Sequence, residues 1–161
     1  MKEIEQRVAN GGSPAFEDEQ KILAQYTGWG GLSDAFDPNK SAWSNEYSQL
    51  KAALSESEYE AARSSTLTAF YTPATVIHPI YRALERFGVK GGKILEPSMG
   101  TGAFLAHGHF GSSDAKFYGV ELDSITGRIS KQLYQKANIQ VTGYENALLP
   151  DNYFDLSLIH I

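Results

Sequence analysis

From residue 72 onward, short apolar runs alternate with segments whose apolar positions recur every three to four residues. TPATVIHPIYRALERFG (72–88) predicts a helix with Pro73 near its first turn and Gly88 at its end. GKILEP (92–97) predicts a strand, GAFLAHGHF (102–110) a short helix and AKFYGVEL (115–122) a second strand. SITGRISKQLYQKAN (124–138) predicts a helix, IQVTGYE (139–145) a third strand, and YFDLSLIHI (153–161) the start of a fourth. Strands and helices alternating at this spacing imply a parallel, Rossmann-like α/β sheet.

The first 65 residues follow another rhythm. AFEDEQKILAQYT (15–27) predicts a helix opened by acids, with Ile22, Leu23 and Tyr26 on one side, stopped by GWGG at 28–31. SNEYSQLKAALSESEYEAARSS (44–65) predicts a second helix with Tyr47, Leu50, Leu54 and Tyr59 as its apolar stripe and Ser44 or Asn45 as N-cap. We expect a small helical region over 1–65 and the α/β unit over 66–161, with no internal repeat.

Composition narrows the classes. At 161 residues with 42% hydrophobic side chains the chain can bury a real core, and the absence of cysteine excludes a disulfide framework. No apolar run approaches the ~20 residues of a membrane span, and MKEIEQRVANGG has no apolar signal core, so a cytoplasmic protein is the default expectation. The net charge of −5 resides in residues 1–65, with eleven acids against six bases, while 66–161 hold eight of each. Neither part is the basic surface of an autonomous nucleic-acid binder. For a DNA substrate, most of the phosphate-gripping surface would have to lie elsewhere.

The candidate chemistry centres on ILEPSMGTGAFLA (94–106), an apolar run, a turn with Gly100 and Gly102, then a helical run. A P-loop would need Lys and Ser or Thr directly after its last glycine, but Ala103 and Phe104 follow Gly102. A dinucleotide loop would need a third glycine where Leu105 stands. Glu96 puts a carboxylate at the mouth of the loop and Pro97 removes an amide donor; both disfavour phosphate and suit a ligand with ammonium and sulfonium groups. S-adenosylmethionine has both. Glu121, at the end of the second strand, suits the hydroxyls of a ribose, and NAD would use it equally well.

The ordered set FYTPATVIHPIYRAL (70–84), ILEPSMGTGAFL (94–105), FYGVELDSITGRIS (117–130) and VTGYENALLPDNYFD (141–155) resembles the leading motifs of the N6-adenine DNA methyltransferases, class I enzymes that use S-adenosylmethionine. YTGWGGLSDAFD (26–37) further resembles N-terminal segments of large methylase proteins of phages and mobile elements, often fused to helicases. The resemblance implies that Tyr71, Thr72 and Pro73 line the methionine end of the cofactor and that Glu96, Pro97, Met99, Gly100, Thr101 and Gly102 form the loop beneath it. Glu121 would take the ribose hydroxyls, with Leu122 and Ile125 against the adenine ring. Glu145, with Asn146 and Ala147, would follow the third strand near the adenine amino group, where the family more often has Asp.

The family orients its flipped target adenine with Asn or Asp, then Pro-Pro, then Tyr or Phe, after the fourth strand. The 161 residues contain no such tetrapeptide, and His160 falls near the expected Asn. The expectation is therefore the cofactor-binding part of a methyltransferase with its parallel sheet truncated at the fourth strand. DNA contacts would come from other segments, and the C-terminal strand edge would be available for self-association. Two other classes compete: a docking module with a degenerate fold, and an NAD-dependent oxidoreductase. His78 is read as a surface or core-edge residue, His107 and His109, two apart with no nearby acid, form no convincing metal pair, and Trp29 and Trp43 are read as packing residues.

Overall fold

The computed structural model describes residues 1–108 and 114–158. Four parallel strands, β1 (Gly92–Glu96), β2 (Ala115–Glu121), β3 (Asn138–Val141) and β4 (Leu156–Ser157), form one sheet in the order β3-β2-β1-β4. Ile94 pairs with Phe117 on one side and with Leu156 on the other, and Val120 pairs with Gln140. The order reverses beside β1, and in open parallel sheets the crevice at such a reversal, outside the carboxyl ends of the strands, is where ligands bind. Ile94, Leu95 and Glu96 are all buried, the signature of a parallel strand covered on both faces.

One face is covered by α5 (Ala74–Arg86) and the short α6 (Ala103–His107), whose Ile77, Tyr81 and Phe104 pack with Ile94. Met99, Leu105 and Ile139 make a second cluster with Phe117 and Tyr134. Each fully buried isoleucine contributes on the order of 2 kcal/mol of transfer free energy.

Before α5 come α1 (Lys2–Ala9), α2 (Glu17–Leu23), α3 (Ser44–Ala53) and α4 (Glu56–Ser65). α1, α2 and α4 dock on α7 (Ser124–Leu133), where Ile4, Ala15 and Leu23 share a cluster with Ile125 and Ile129. A neighbouring cluster gathers Ala35, Phe36, Tyr59 and Ala62, with Trp29 and Trp43 against it. Both tryptophans pack inside the helical layer. Arg128 of α7 ties this layer down: its Nη2 donates to Glu58 at 2.7 Å, and its Nε lies 3.0 Å from Glu5.

The sheet follows the sequence pattern; the helical part departs from it in four places. The segment 44–65 is two helices rather than one. Ser55 interrupts it in an extended conformation, its Oγ accepting from the Glu58 amide while Glu58 accepts from the Ser55 amide at 2.8 Å. That reciprocal capping box satisfies two end amides a continuous helix would not need to cap. The first of the two starts after Trp43, with no side-chain cap from Ser44 or Asn45. The helix expected over 15–27 ends at Leu23, and Ile22 is 68% exposed while Leu23 faces α7. Finally, α1 had no counterpart in the sequence reading.

β3 stops at Val141, and Tyr144–Asn146 form a 3-10 turn where strand was expected. Ile159 and Ile161 of the apolar run expected to continue β4, and His160 near the expected Asn, lie outside the described residues, as does His109.

Candidate ligand cleft at the strand ends

The loop after β1 is fixed from several sides. The Met99 amide donates to the Val120 carbonyl at 3.0 Å and the Gly102 amide to Met99 at 2.8 Å, closing a tight turn. From α7, fully buried Ser130 donates to the Gly100 carbonyl at 3.0 Å and Tyr134 to the Thr101 carbonyl at 3.1 Å. Gly100 has φ +54, and a Cβ there would overlap the Tyr71 ring. Glycine is required here to let a tyrosine approach the backbone.

Glu121 is the hub. One carboxylate oxygen accepts from the Gly100 amide at 2.7 Å and the other from the Asp123 amide at 2.8 Å. Burial raises its pKa against the lowering by these amides. A carboxylate has about four lone-pair sites, so Glu121 keeps acceptor capacity for a ligand hydroxyl beyond these amides.

Two clefts meet at this residue. The larger, about 740 Å³, is lined by Tyr71, Ser98, Gly100, Glu121, Leu122 and Asp123 on the sheet side and by α4 and the segment after it, including Glu60, Ser64, Thr68 and Phe70, on the other. The smaller, about 260 Å³, lies between Pro97, Ser98, Glu121 and Leu122 and the turn Thr142–Glu145. Leu122 stands between them, 75% exposed.

Of the residues singled out in the sequence, Tyr71, Pro97, Gly100, Glu121, Leu122 and Glu145 line these clefts. Met99 is buried beneath the loop against Gly119, and Thr101 and Gly102 shape the turn into α6. Thr72 precedes Pro73, which caps α5. Asn146 donates to Glu145 at 3.0 Å, and the Ala147 amide closes the 3-10 turn onto the Tyr144 carbonyl. Ile125 is not beside the clefts: it faces the helical layer in the cluster with Ile4 and Leu23.

Glu96 is also not at the mouth of the loop. It is 2% exposed, with Oε2 lacking a hydrogen-bond partner among the described residues. Burial pushes its carboxyl up to about 8, against the lowering by the Ser98 amide, so it is largely protonated at neutral pH. Its charge therefore does not repel phosphate. The case against a dinucleotide rests instead on α6, which has only five residues and carries buried Leu105 where close helix packing would want glycine.

The sequence reading missed the wall from α4 to Phe70, and also Ser130 and Tyr134. A small-residue pattern in Ser64, Ser65 and Thr68 was the available signal for the wall; nothing in the pattern marked the other two. Among the described residues no cluster of His, Asp or Glu could hold a metal, and His78 and His107 meet edge to face with ring centroids 5.1 Å apart. No helix there is long and apolar enough to cross a membrane.

The strand order and the glycine loop define a Rossmann-like α/β fold with its cleft at the carboxyl ends of β1 and β2. No protein-family profile matches the chain. It is 26% identical over 146 residues, 89% of its length, to the defense against restriction protein B of Escherichia phage P1. It is 32% identical over 87 residues, 53% of its length, to the modification methylase CviBIII of Paramecium bursaria Chlorella virus NC1A. The chain spans 5% and 23% of the lengths of these two relatives. Among solved structures, the plantazolicin methyltransferase BpumL in complex with SAH superposes with a TM-score of 0.45 at 18% identity, over 88% of this chain and 50% of that one. A score of that size adds nothing to what the strand order establishes.

Proposed function

We propose that this chain is the cofactor-binding part of a methyltransferase that uses S-adenosylmethionine and acts on DNA at adenine N6. The observation that carries the reading is the Glu121 carboxylate, bonded to the Gly100 amide and standing where the two clefts meet. Its remaining acceptor capacity fits a ribose hydroxyl at the divide. Tyr71 and Gly100 would then border the methionine end, and Glu145 and Tyr144 the adenine end. When bound, the cofactor supplies an electrophilic methyl group on sulfonium.

The ligand choice is supported by the five-residue α6 and by Leu105, which suit pyrophosphate poorly. The DNA reading is supported by the ordered motifs and by the modification methylase relative. The remaining sequence-derived assignments, at Thr72, Pro73, Met99, Thr101, Gly102, Asn146 and Ala147, become supporting positions around the loop and turn in this proposal.

Calorimetry on the 161-residue chain tests it. S-adenosylhomocysteine should bind and NAD should not compete. NAD binding would assign an oxidoreductase, and no binding of either would leave a docking module. With no Pro-Pro-aromatic segment to orient an amine, the chain alone should incorporate no tritiated methyl into duplex DNA. Clear incorporation would show that other residues position the base.

A further inference from the structure

The GWGG segment ended no helix, since α2 stops at Leu23, five residues before Gly28. Its glycines instead lie along the 66–71 segment. Gly28 has φ +81, and a Cβ there would overlap the hydroxyl end of the Tyr71 ring. Gly30 faces the Ala69 carbonyl so closely that a Cβ would overlap it, and the Gly31 amide donates to the Thr66 carbonyl at 3.0 Å. The Tyr71 ring is thus clasped between two backbones, Gly28 on one side and Gly100 on the other.

The same loop is tied to the ligand carboxylate. Tyr26 and Thr126 share a hydrogen bond of 2.8 Å, and Thr126 also lowers the pKa of the Tyr71 hydroxyl against the larger rise from burial. The Thr126 amide donates to Asp123 at 2.7 Å, and the Asp123 amide donates to Glu121. Thr126 and Asp123, the middle of this relay, are buried.

We propose that Tyr26, Gly28 and Gly30 are positioning residues of the cleft: the N-terminal loop holds the Tyr71 ring against Gly100 and so shapes the wall that a cofactor's methionine end would meet. The helical layer is then part of the binding site rather than an appendage to it. This rests on the cofactor reading above, and its test separates the two.

Gly28→Ala, Tyr71→Leu and the double variant are compared by titration with S-adenosylhomocysteine. Gly11→Ala serves as control, because Gly11 has φ +80 with nothing within 4 Å. Gly28→Ala should weaken binding by about tenfold in the native background and by less than about twofold in the Tyr71→Leu background, since residues in contact are non-additive. The control should bind as the native chain does. Equal losses in both backgrounds would overturn the clasp. A second measurement needs no cofactor: 3-fluorotyrosine placed at position 71 should shift its fluorine resonance in Gly28→Ala and not in Gly11→Ala. An unchanged resonance in Gly28→Ala refutes the positioning role even if binding falls. If the native chain binds no S-adenosylhomocysteine, the cofactor reading falls, and the fluorine resonance alone decides the clasp.

Discussion

Replacing Glu96 with glutamine should remove a pH dependence that native stability carries. The folded carboxyl titrates at about 8 against an unperturbed 4.5, because burial disfavours its charged form. Between those values the folded state holds a proton that the unfolded state has released. Stability is therefore greatest below about pH 4.5 and is lost as pH rises through 8. The slope approaches 1.4 kcal/mol per pH unit, about 3–4 kcal/mol between pH 5 and 8 as an upper limit. Glu121, also raised by burial, adds a loss of the same sign. The substituted amide carries no titrating proton, so Glu96→Gln should retain only the Glu121 contribution in this window. Its unmatched amide donors add a constant offset that does not depend on pH. Urea titrations followed by tryptophan fluorescence at pH 5, 6, 7, 8 and 9 measure the difference directly. A native-minus-variant difference that stays flat from pH 5 to 8 would refute the buried protonated carboxyl.

Arg128→Ala should cost roughly 1.5–3 kcal/mol, because Glu58 loses a charge-assisted hydrogen bond while keeping that of the Ser55 amide; limited proteolysis should then cut residues 1–65 before the sheet. Glu58 itself is held down at about 2 by the Ser55 amide first and Arg128 second, so its contribution is lost as pH falls below about 4.5 toward 2. An acid unfolding limb that persists unchanged in Glu58→Gln would refute that assignment. Ser55→Ala should destabilise by about 1 kcal/mol through loss of the cap, read as a lower urea midpoint with unchanged slope. Glu121→Ala should weaken S-adenosylhomocysteine binding by roughly 1.5–3 kcal/mol, measured by calorimetry; an unchanged dissociation constant would place the ribose elsewhere.

The parallel sheet was legible because short apolar runs alternate with segments of helical period, a pattern that depends little on context. The helical layer was not, because its apolar residues serve two surfaces at once: Leu23 turns to α7 while Ile22, one residue away, is exposed. The Ser55–Glu58 capping box is written plainly as Ser-x-x-Glu, yet the surrounding stripe of Tyr47, Leu50, Leu54 and Tyr59 reads through it at helical period. Within the cleft, residues local to the glycine loop could be read from the strand-turn-helix pattern. Ser130, Tyr134 and the α4 wall come from distant segments, and only the fold brings them near. Glu96 was legible as a residue and not as a charge, since the burial that keeps it protonated is a property of packing.

β1 sits between partners that differ greatly in distance along the chain. Its contact with β2 closes over about twenty residues, whereas Asp155, which accepts from the Lys93 amide at 2.8 Å, lies 62 residues away. The longer loop costs about 0.9 kcal/mol more in closure entropy, and among the described residues Leu156 and Ser157 pair there to offset it. The β2 side of the sheet should accordingly form first in folding, with Asp155 arriving last to fasten the strand that ends in the glycine loop. A nascent chain would thus display an unfilled edge on its central strand until residue 155 is free to move, an interval during which a chaperone or a neighbouring strand could occupy that edge.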